Sequence, residues 1–270
     1  MCLDIAFYSA LQLIDDYFPD LVHDSEINFD LDMGVHFLAL GHNRYPIITR
    51  EGAQYHRKHF EWGIIAEYMD TPEKVKAMRK SMVNARSEKI LEDRRSFWHR
   101  IRKTRCLIPV TGIYEHREIK GWKNKIPYHI RLKDRKMFCI PGLYHFNTKI
   151  PSDPETGEMR GMFTLITRGA NAVMRQIHNS GDNAFRMPLF LPRELEMEWL
   201  KPDLTDEEMA TLLRYEMPSD QIVYNPVYSI RGRTPRPDGR PKNATFDHLN
   251  LPPLGEDGGG AAQKDLFSKT

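Results

Sequence analysis

The residue with most chemistry to offer is Cys2, directly after the initiator Met1. Removing Met1 leaves one residue carrying both a free α-amine and a thiol two carbons apart. An α-amine has an ordinary pKa near ~8, so part of it is neutral and nucleophilic at pH 7. Such a 1,2-aminothiol condenses with an aldehyde to an imine, and the thiol then closes a five-membered thiazolidine. No internal cysteine can do this, because its nitrogen is an amide. From its position alone, an ordinary terminal cysteine is the better reading.

Three other segments carry groups suited to such a reaction. Val83-Asn84-Ala85-Arg86-Ser87-Glu88 places an amide, a guanidinium and a carboxylate within six residues. Arg105 to Glu115 is an apolar run ending in a carboxylate, and burial at a strand end raises a glutamate pKa toward general acid-base use. Ile177-His178-Asn179, followed by Arg186-Met187-Pro188, offers an imidazole that exchanges protons near neutral pH. Taken singly, each has a structural reading: Glu115 as a paired surface acid, His178 as a hydrogen-bonded core histidine, Asn84 as a turn residue. The pairs His36/His42 and His56/His59 lack a Cys or carboxylate partner at ligand spacing, so no catalytic metal is expected. No Gly-rich loop with a following Lys-Ser/Thr is present, and no nucleotide cofactor is implied.

The elements that must position these residues follow from the apolar pattern. Ala10 to Phe18 reads as a short amphipathic helix, and Pro72 with Glu73 to Lys80 as a helix capped by Thr71. Val35 to Leu40, Tyr45 to Thr49, Cys106 to Glu115, Ile126 to Leu132, Phe138 to Tyr144, Met162 to Thr167, Met187 to Leu191 and Ile222 to Tyr228 read as strands. Polar turns such as Ser152 to Gly157 separate them. Gly169 to Gln176, Arg193 to Leu200 and Asp206 to Arg214 read as helices. The two kinds do not alternate regularly. The expected fold is therefore α+β: one domain over 1–250, with a largely antiparallel, barrel-like sheet flanked by helices. The Gly-rich end, 251–270, reads as a disordered tail.

Composition sets the context. Of 270 residues, 40% are hydrophobic and 28% charged, an ordinary globular balance. Three cysteines, no basic leader and no long apolar run lead to a cytoplasmic, monomeric protein as the expectation. The net charge of +2 hides an asymmetry: residues 1–43 hold eight acids and no Lys or Arg, leaving the remainder strongly basic. Arg94 to Arg105 carries six cations, two aromatics and no acid, a composition suited to phosphates and stacked bases, or to a helix with a solvated basic face.

Together and in this order, Met1-Cys2, Glu61-Trp62-Gly63-Ile64-Ile65, Asn84 to Glu88, Arg105 to Glu115, Ile126-Pro127-Tyr128, Phe163 to Thr167, Ala170-Asn171, Ile177-His178-Asn179 and Arg186-Met187-Pro188 resemble the SOS response-associated peptidase (SRAP) family. The resemblance runs from Cys2 to about Tyr228. It implies loss of Met1 by the protein's own activity. It also implies covalent capture of the ring-opened sugar aldehyde of an abasic site in single-stranded DNA, shielding it from cleavage. By matching positions, Cys2 is the nucleophile through nitrogen and sulfur, and Asn84 hydrogen-bonds the adduct near the terminal amine. Glu115 positions and deprotonates that amine, and His178 protonates the sugar's ring oxygen. Arg86 and Arg186 hold flanking phosphates, for which guanidinium forks are suited. Trp62 is the candidate for stacking on a base or walling the strand, with a core tryptophan as its other reading.

The chain also departs from the family pattern. The family commonly opens Met-Cys-Gly-Arg, whereas Leu3 and Asp4 stand here, an acid in place of a phosphate-facing cation. Ala66-Glu67-Tyr68 replaces a segment that usually holds a Pro and a second Trp. His116 occupies a usually aromatic position, and Ser180 to Phe185 is a short insertion. Two other functions compete from sequence: an N-terminal-nucleophile amidohydrolase or glutamine amidotransferase, and a non-catalytic single-strand-binding module built on the basic run.

Overall fold

The computed structural model describes residues 2–8, 12–23, 35–149, 157, 161–231 and 236–257. Met1, most of the turn expected at Ser152 to Gly157 and positions 258–270 of the expected tail lie outside the described residues.

In chain order the first elements are β1 (Asp4–Phe7), α1 (Gln12–Tyr17), β2 (Val22–His23), β3 (Val35–Leu38), β4 (Arg44–Glu51), β5 (Gln54–Trp62) and α2 (Pro72–Met78). Next come β6 (Asn84–Arg86), α3 (Glu88–Leu91), α4 (Phe97–Arg100), β7 (Arg105–Val110), β8 (Gly112–Arg117), β9 (Ile126–Leu132) and β10 (Phe138–Phe146). The last are β11 (Gly161–Gly169), α5 (Ala172–Ile177), β12 (Arg186–Pro188), α6 (Arg193–Trp199), α7 (Asp206–Arg214) and β13 (Ile222–Pro226).

One sheet runs β13-β9-β8-β1-β3, all antiparallel. The other runs β12-β11-β10-β7-β4-β5-β2, with β6 on β11. Strand β11 also pairs in parallel with β5, which closes β5, β4, β7, β10 and β11 into a ring. The fold is thus α+β, one domain around a barrel-like sheet. Strand β7 is buried along its whole length, as its unbroken apolar run requires for a strand covered on both faces. Among the described residues no helix is long and apolar enough to cross a membrane.

The stretch Cys106 to Glu115, expected as one strand, is two strands in different sheets. Thr111 makes the break: its backbone N–H and its hydroxyl both donate to the Ala6 carbonyl, at 2.9 and 3.1 Å. Its Oγ also accepts from the Tyr8 N–H at 2.9 Å, so β1 is pinned at the point where the chain changes sheet. Gly112 must follow, because a Cβ there would lie 2.3 Å from the His129 ring. Strand β1 went unread in the sequence, yet it lies between β8 and β3 and carries Cys2 at its entrance.

Helix α2 starts as expected, with Thr71 Oγ accepting from the Lys74 N–H at 3.3 Å. The basic run is not one helix: only Phe97–Arg100 is helical. Tertiary partners take its cations apart. Arg105 opens β7 and donates to the Trp199 carbonyl at 2.8 Å, while Arg102 reaches Asp206 at 3.1 Å. The expected tail also begins too early. Leu251 and Leu254 pack on the core. Arg117, fully buried, donates to the Pro252 and Pro253 carbonyls at 2.8 and 2.6 Å and to the Asp257 carboxylate at 2.6 Å.

Candidate active site

Strand β1 delivers Cys2 into the gap between the two sheets, where the residue is 1% exposed. Its carbonyl accepts a 2.9 Å hydrogen bond from Asn84 Nδ2. Asn84 is the first residue of β6, held beside β11 in register with Leu165, so the sheet fixes its side chain at the start of the chain. Its Oδ1 is buried and has no hydrogen-bond partner among the described residues. A buried amide with one end satisfied and the other empty is costly by about 1–3 kcal/mol.

Glu115 lies on β8, one residue beyond the pair Asp4↔Tyr114. Its carboxyl is buried, and Oε1 has no hydrogen-bond partner among the described residues. Burial pushes its pKa up to about 8; the Asp4 carboxylate adds to the rise, while the chain's N-terminal ammonium and Arg231 oppose it. At pH 7 Glu115 is mostly protonated. Burial likewise pushes the Cys2 thiol well above its ordinary value, helped by the charges of Glu115 and Asp4. The thiol is held neutral in the resting site.

His178 ends α5, whose first turn is capped by Asn171 Oδ1 accepting from the Met174 N–H at 3.0 Å. Its Nδ1 lies 2.7 Å from the Arg186 carbonyl. A carbonyl only accepts, so Nδ1 carries the proton and Nε2 keeps its lone pair. That Nε2 stands 3.9 Å from Glu115 Oε2. Burial, then the N-terminal ammonium, lower the imidazole pKa to about 4. At rest the pair is therefore a neutral imidazole facing a neutral carboxylic acid. His178 holds no spare proton at pH 7 and must receive one before it can act as an acid.

The insertion Ser180 to Phe185 makes a turn in which the Ala184 N–H donates to the Gly181 carbonyl at 3.0 Å and the Phe185 N–H to the His178 carbonyl at 2.8 Å. Arg186 then enters β12 opposite Gly169. Its guanidinium forks onto Glu88 at 2.6 and 2.9 Å and donates to the Thr167 carbonyl at 2.8 Å. Arg86 is exposed and donates to Asn183 Oδ1 at 2.8 Å. Both arginines line a cavity of about 310 Å³ with Asn84, Lys89 and Trp98. A second cavity of about 380 Å³, lined by Glu115, His178, Asp4, Lys125 and Arg231, opens onto the reactive groups.

Trp62 is corrected by the structure. The ring is 2% exposed, stacks on Phe163 at 5.9 Å, and donates its N–H to the Val83 carbonyl at 2.8 Å. With both faces covered it offers no surface to a base, and its place is in the core that supports Asn84. Trp98, in the basic run, is the tryptophan that reaches the cavity beside Arg86.

The sequence reading also missed what Asp4 does. The carboxylate is 2% exposed, 2.6 Å from His36 Nε2, and held by two donors of Arg231, the first at 3.0 Å. It is thus a buried, neutralised anion rather than a negative charge facing a strand. Arg231 brings a cation to the same mouth. No sequence signal links residues so far apart. Cys106 and Cys139 are both buried, in strands β7 and β10. Among the described residues no group of three or more His, Cys, Asp or Glu side chains could hold a metal ion.

Residues 1–230 match the family model for SOS response associated peptidase (SRAP). The chain is similar to "Abasic site processing protein YoqW" of Bacillus subtilis, 31% identical over 218 residues, covering 79% of this chain and 89% of that one. It is similar to B. subtilis YoaM, likewise called an abasic site processing protein, at 29% over 236 residues, covering 85% and 92%. A crystal structure of a protein from Bacteroides thetaiotaomicron superposes with a TM-score of 0.70 at 30% identity, covering 84% of this chain and 92% of that one. A Bordetella bronchiseptica protein shares the fold at a TM-score of 0.66 and 20% identity, over 84% of this chain and 100% of that one. By its sequence from residue 1 to residue 230, the chain belongs to the SOS response associated peptidase family.

Proposed function

We propose that the protein processes abasic sites in single-stranded DNA by capturing them covalently through Cys2, after the chain has removed its own Met1. The observation that carries this reading is a pair of buried, unpartnered polar atoms beside Cys2: Asn84 Oδ1 and Glu115 Oε1. A core evolved for stability alone pairs such atoms. Here they await a group, and the α-amine of a processed Cys2, with the adduct it forms, supplies donors for both.

The steps follow from the groups present. Asn84 fixes the Cys2 carbonyl and so the direction of its amine and thiol. The ionised fraction of Glu115 takes a proton from the ammonium, freeing the nitrogen to attack the aldehyde carbon. Protonated Glu115 then gives that proton to the departing hydroxyl, and water leaves as the imine forms. The thiol adds to the imine carbon, its proton passing to the nitrogen, and the thiazolidine closes. One C–N and one C–S bond are made, and the aldehyde oxygen leaves as water. His178, protonated only on Nδ1 at rest, receives a second proton on Nε2 from Glu115 across the 3.9 Å gap and passes it to the sugar's ring oxygen as the ring opens, the C1 hydroxyl losing its proton to water. Arg86, and Arg186 after release from Glu88, bind the flanking phosphates. Phosphates in that cavity also favour protonated His178, since a nearby negative charge raises an imidazole pKa.

The test is capture of a single-stranded oligonucleotide carrying one abasic site, read as a slow-migrating band on a denaturing gel. The proposal expects the band with the native chain and none with Cys2→Ala. A band of equal strength with Cys2→Ala would overturn it.

A further inference from the structure

A third and larger cavity, of about 680 Å³, adjoins the reaction cavity and shares His116, Lys125 and Arg231 with it. Its other walls include Trp122, Lys123, Tyr228 and His248. Two of the wall residues, Arg231 and His248, lie beyond residue 230, where the family match ends. Residues 246–248 are docked on β13 and the residue after it: the Phe246 N–H donates to the Pro226 carbonyl at 2.9 Å, and His248 Nε2 donates to the Val227 carbonyl at 2.9 Å. Tyr228, Phe246 and His248 contact one another in series, tilted and then edge to face, with ring centroids 4.8 and 4.9 Å apart. Opposite them, Trp122 is half-buried and Lys123 exposed.

The cavity with Arg86 and Trp98 meets the reaction cavity at Asn183, and the third meets it at His116 and Arg231. The three therefore form a row with the reactive groups in the middle. A flexible chain reacting at its middle needs a path out on both sides. Rings alternating with cations form the surface that holds unpaired nucleotides, the rings taking base faces and the cations phosphates.

We infer that this third cavity is a nucleotide subsite, assembled by the segment after residue 230 together with the β8–β9 turn, that holds the unpaired strand leaving the lesion on the side opposite Arg86. Trp122 stacks on a base, and Lys123 and Arg231 take the phosphates, with Arg231 exchanging Asp4 for phosphate at the junction. The inference rests on the function proposed above, and its test separates the two.

The test uses strands carrying tetrahydrofuran, an abasic analogue with no aldehyde, so that affinity is measured apart from chemistry. One strand has nucleotides on both sides of the analogue, one only on its 5′ side, one only on its 3′ side. Trp122→Ala is expected to weaken binding of the two-sided strand, and of one of the one-sided strands, by about tenfold, the other one-sided strand binding as to the native chain. Lys123→Glu, at an exposed position that leaves the core untouched, is expected to affect the same two strands and to reduce their salt dependence. Native affinity for all three strands in both variants would overturn the subsite, as would an equal loss on all three. If the native chain captures a true abasic site while the variants bind all strands normally, the subsite alone has failed. If the native chain captures none, the functional reading has failed and the subsite with it.

Discussion

Glu115 Oε2 and His178 Nε2 face each other at 3.9 Å, a protonated carboxyl opposite an imidazole lone pair. Neither group is charged at neutral pH, and burial is the first cause in both. The site stores its proton on the acid rather than on the histidine, the reverse of what their ordinary pKa values would give.

This has a consequence for stability. An unfolded glutamate ionises near pH 4.3, whereas Glu115 holds its proton to about 8. Between those values the folded state binds more protons, so this residue's contribution to stability falls as pH rises. Glu115→Gln removes that loss. The variant is expected to gain thermal stability relative to the native chain from about pH 5 to pH 8, by a few kcal/mol at the upper end. Its crosslinking rate is expected to fall by roughly 100-fold, the scale of a lost general acid-base. Melting curves at the two pH values, with gel-based rates, check both.

Asp4→Asn tests the neighbouring pair. The Asp4 charge raises the Glu115 pKa, while Arg231, which Asp4 binds, lowers it. Without that charge, Glu115 ionises at lower pH. The pH–rate profile of capture is expected to move its Glu115-dependent limb toward acid, whereas a purely structural Asp4 would change the amplitude and leave the profile in place.

The two tryptophans should separate cleanly. Trp62→Ala removes a fully packed ring and is expected to cost about 3–5 kcal/mol of folding stability. Trp98→Ala is expected to weaken strand binding by about 1 kcal/mol. Chemical denaturation and fluorescence anisotropy, applied to both variants, check the assignment.

Arg86→Ala removes an exposed cation that faces the cavity beside Asn84. Binding of single strands is expected to weaken regardless of sequence, with the log–log salt slope smaller by about 0.7. An unchanged slope would mean that Arg86 touches no phosphate.

The candidate site was legible in sequence because its residues sit in short continuous segments: Asn84 and Arg86 in one, Glu115 at a strand end, His178 beside Arg186. Most element positions were legible too, down to Ile126–Leu132 and Asp206–Arg214, because apolar period and capping residues mark them. What stayed hidden depends on contacts between distant residues. Asp4 reads locally as an acid set against DNA, whereas in the fold Arg231 and His36 neutralise it. Thr111 looked like the middle of a strand, because nothing local shows that its hydroxyl binds the Ala6 carbonyl. Trp62 could be read either way, since its exposure depends on neighbours such as Phe163 that lie far away in the chain. The docking of residues 251–257 required a buried Arg117 that the sequence places in an ordinary strand.

In the proposed reaction Cys2, freed of Met1, bonds to the abasic aldehyde through nitrogen and sulfur. Intact-mass analysis of the purified chain, alone and after mixing with a single strand carrying one abasic site, tests it most directly. The expected result is a chain lacking Met1, and a stable adduct equal to chain plus oligonucleotide minus one water, absent in Cys2→Ala. A chain that has lost Met1 yet gains no mass with the abasic strand would contradict it, and would favour the amide-hydrolysing use of the same N-terminal cysteine.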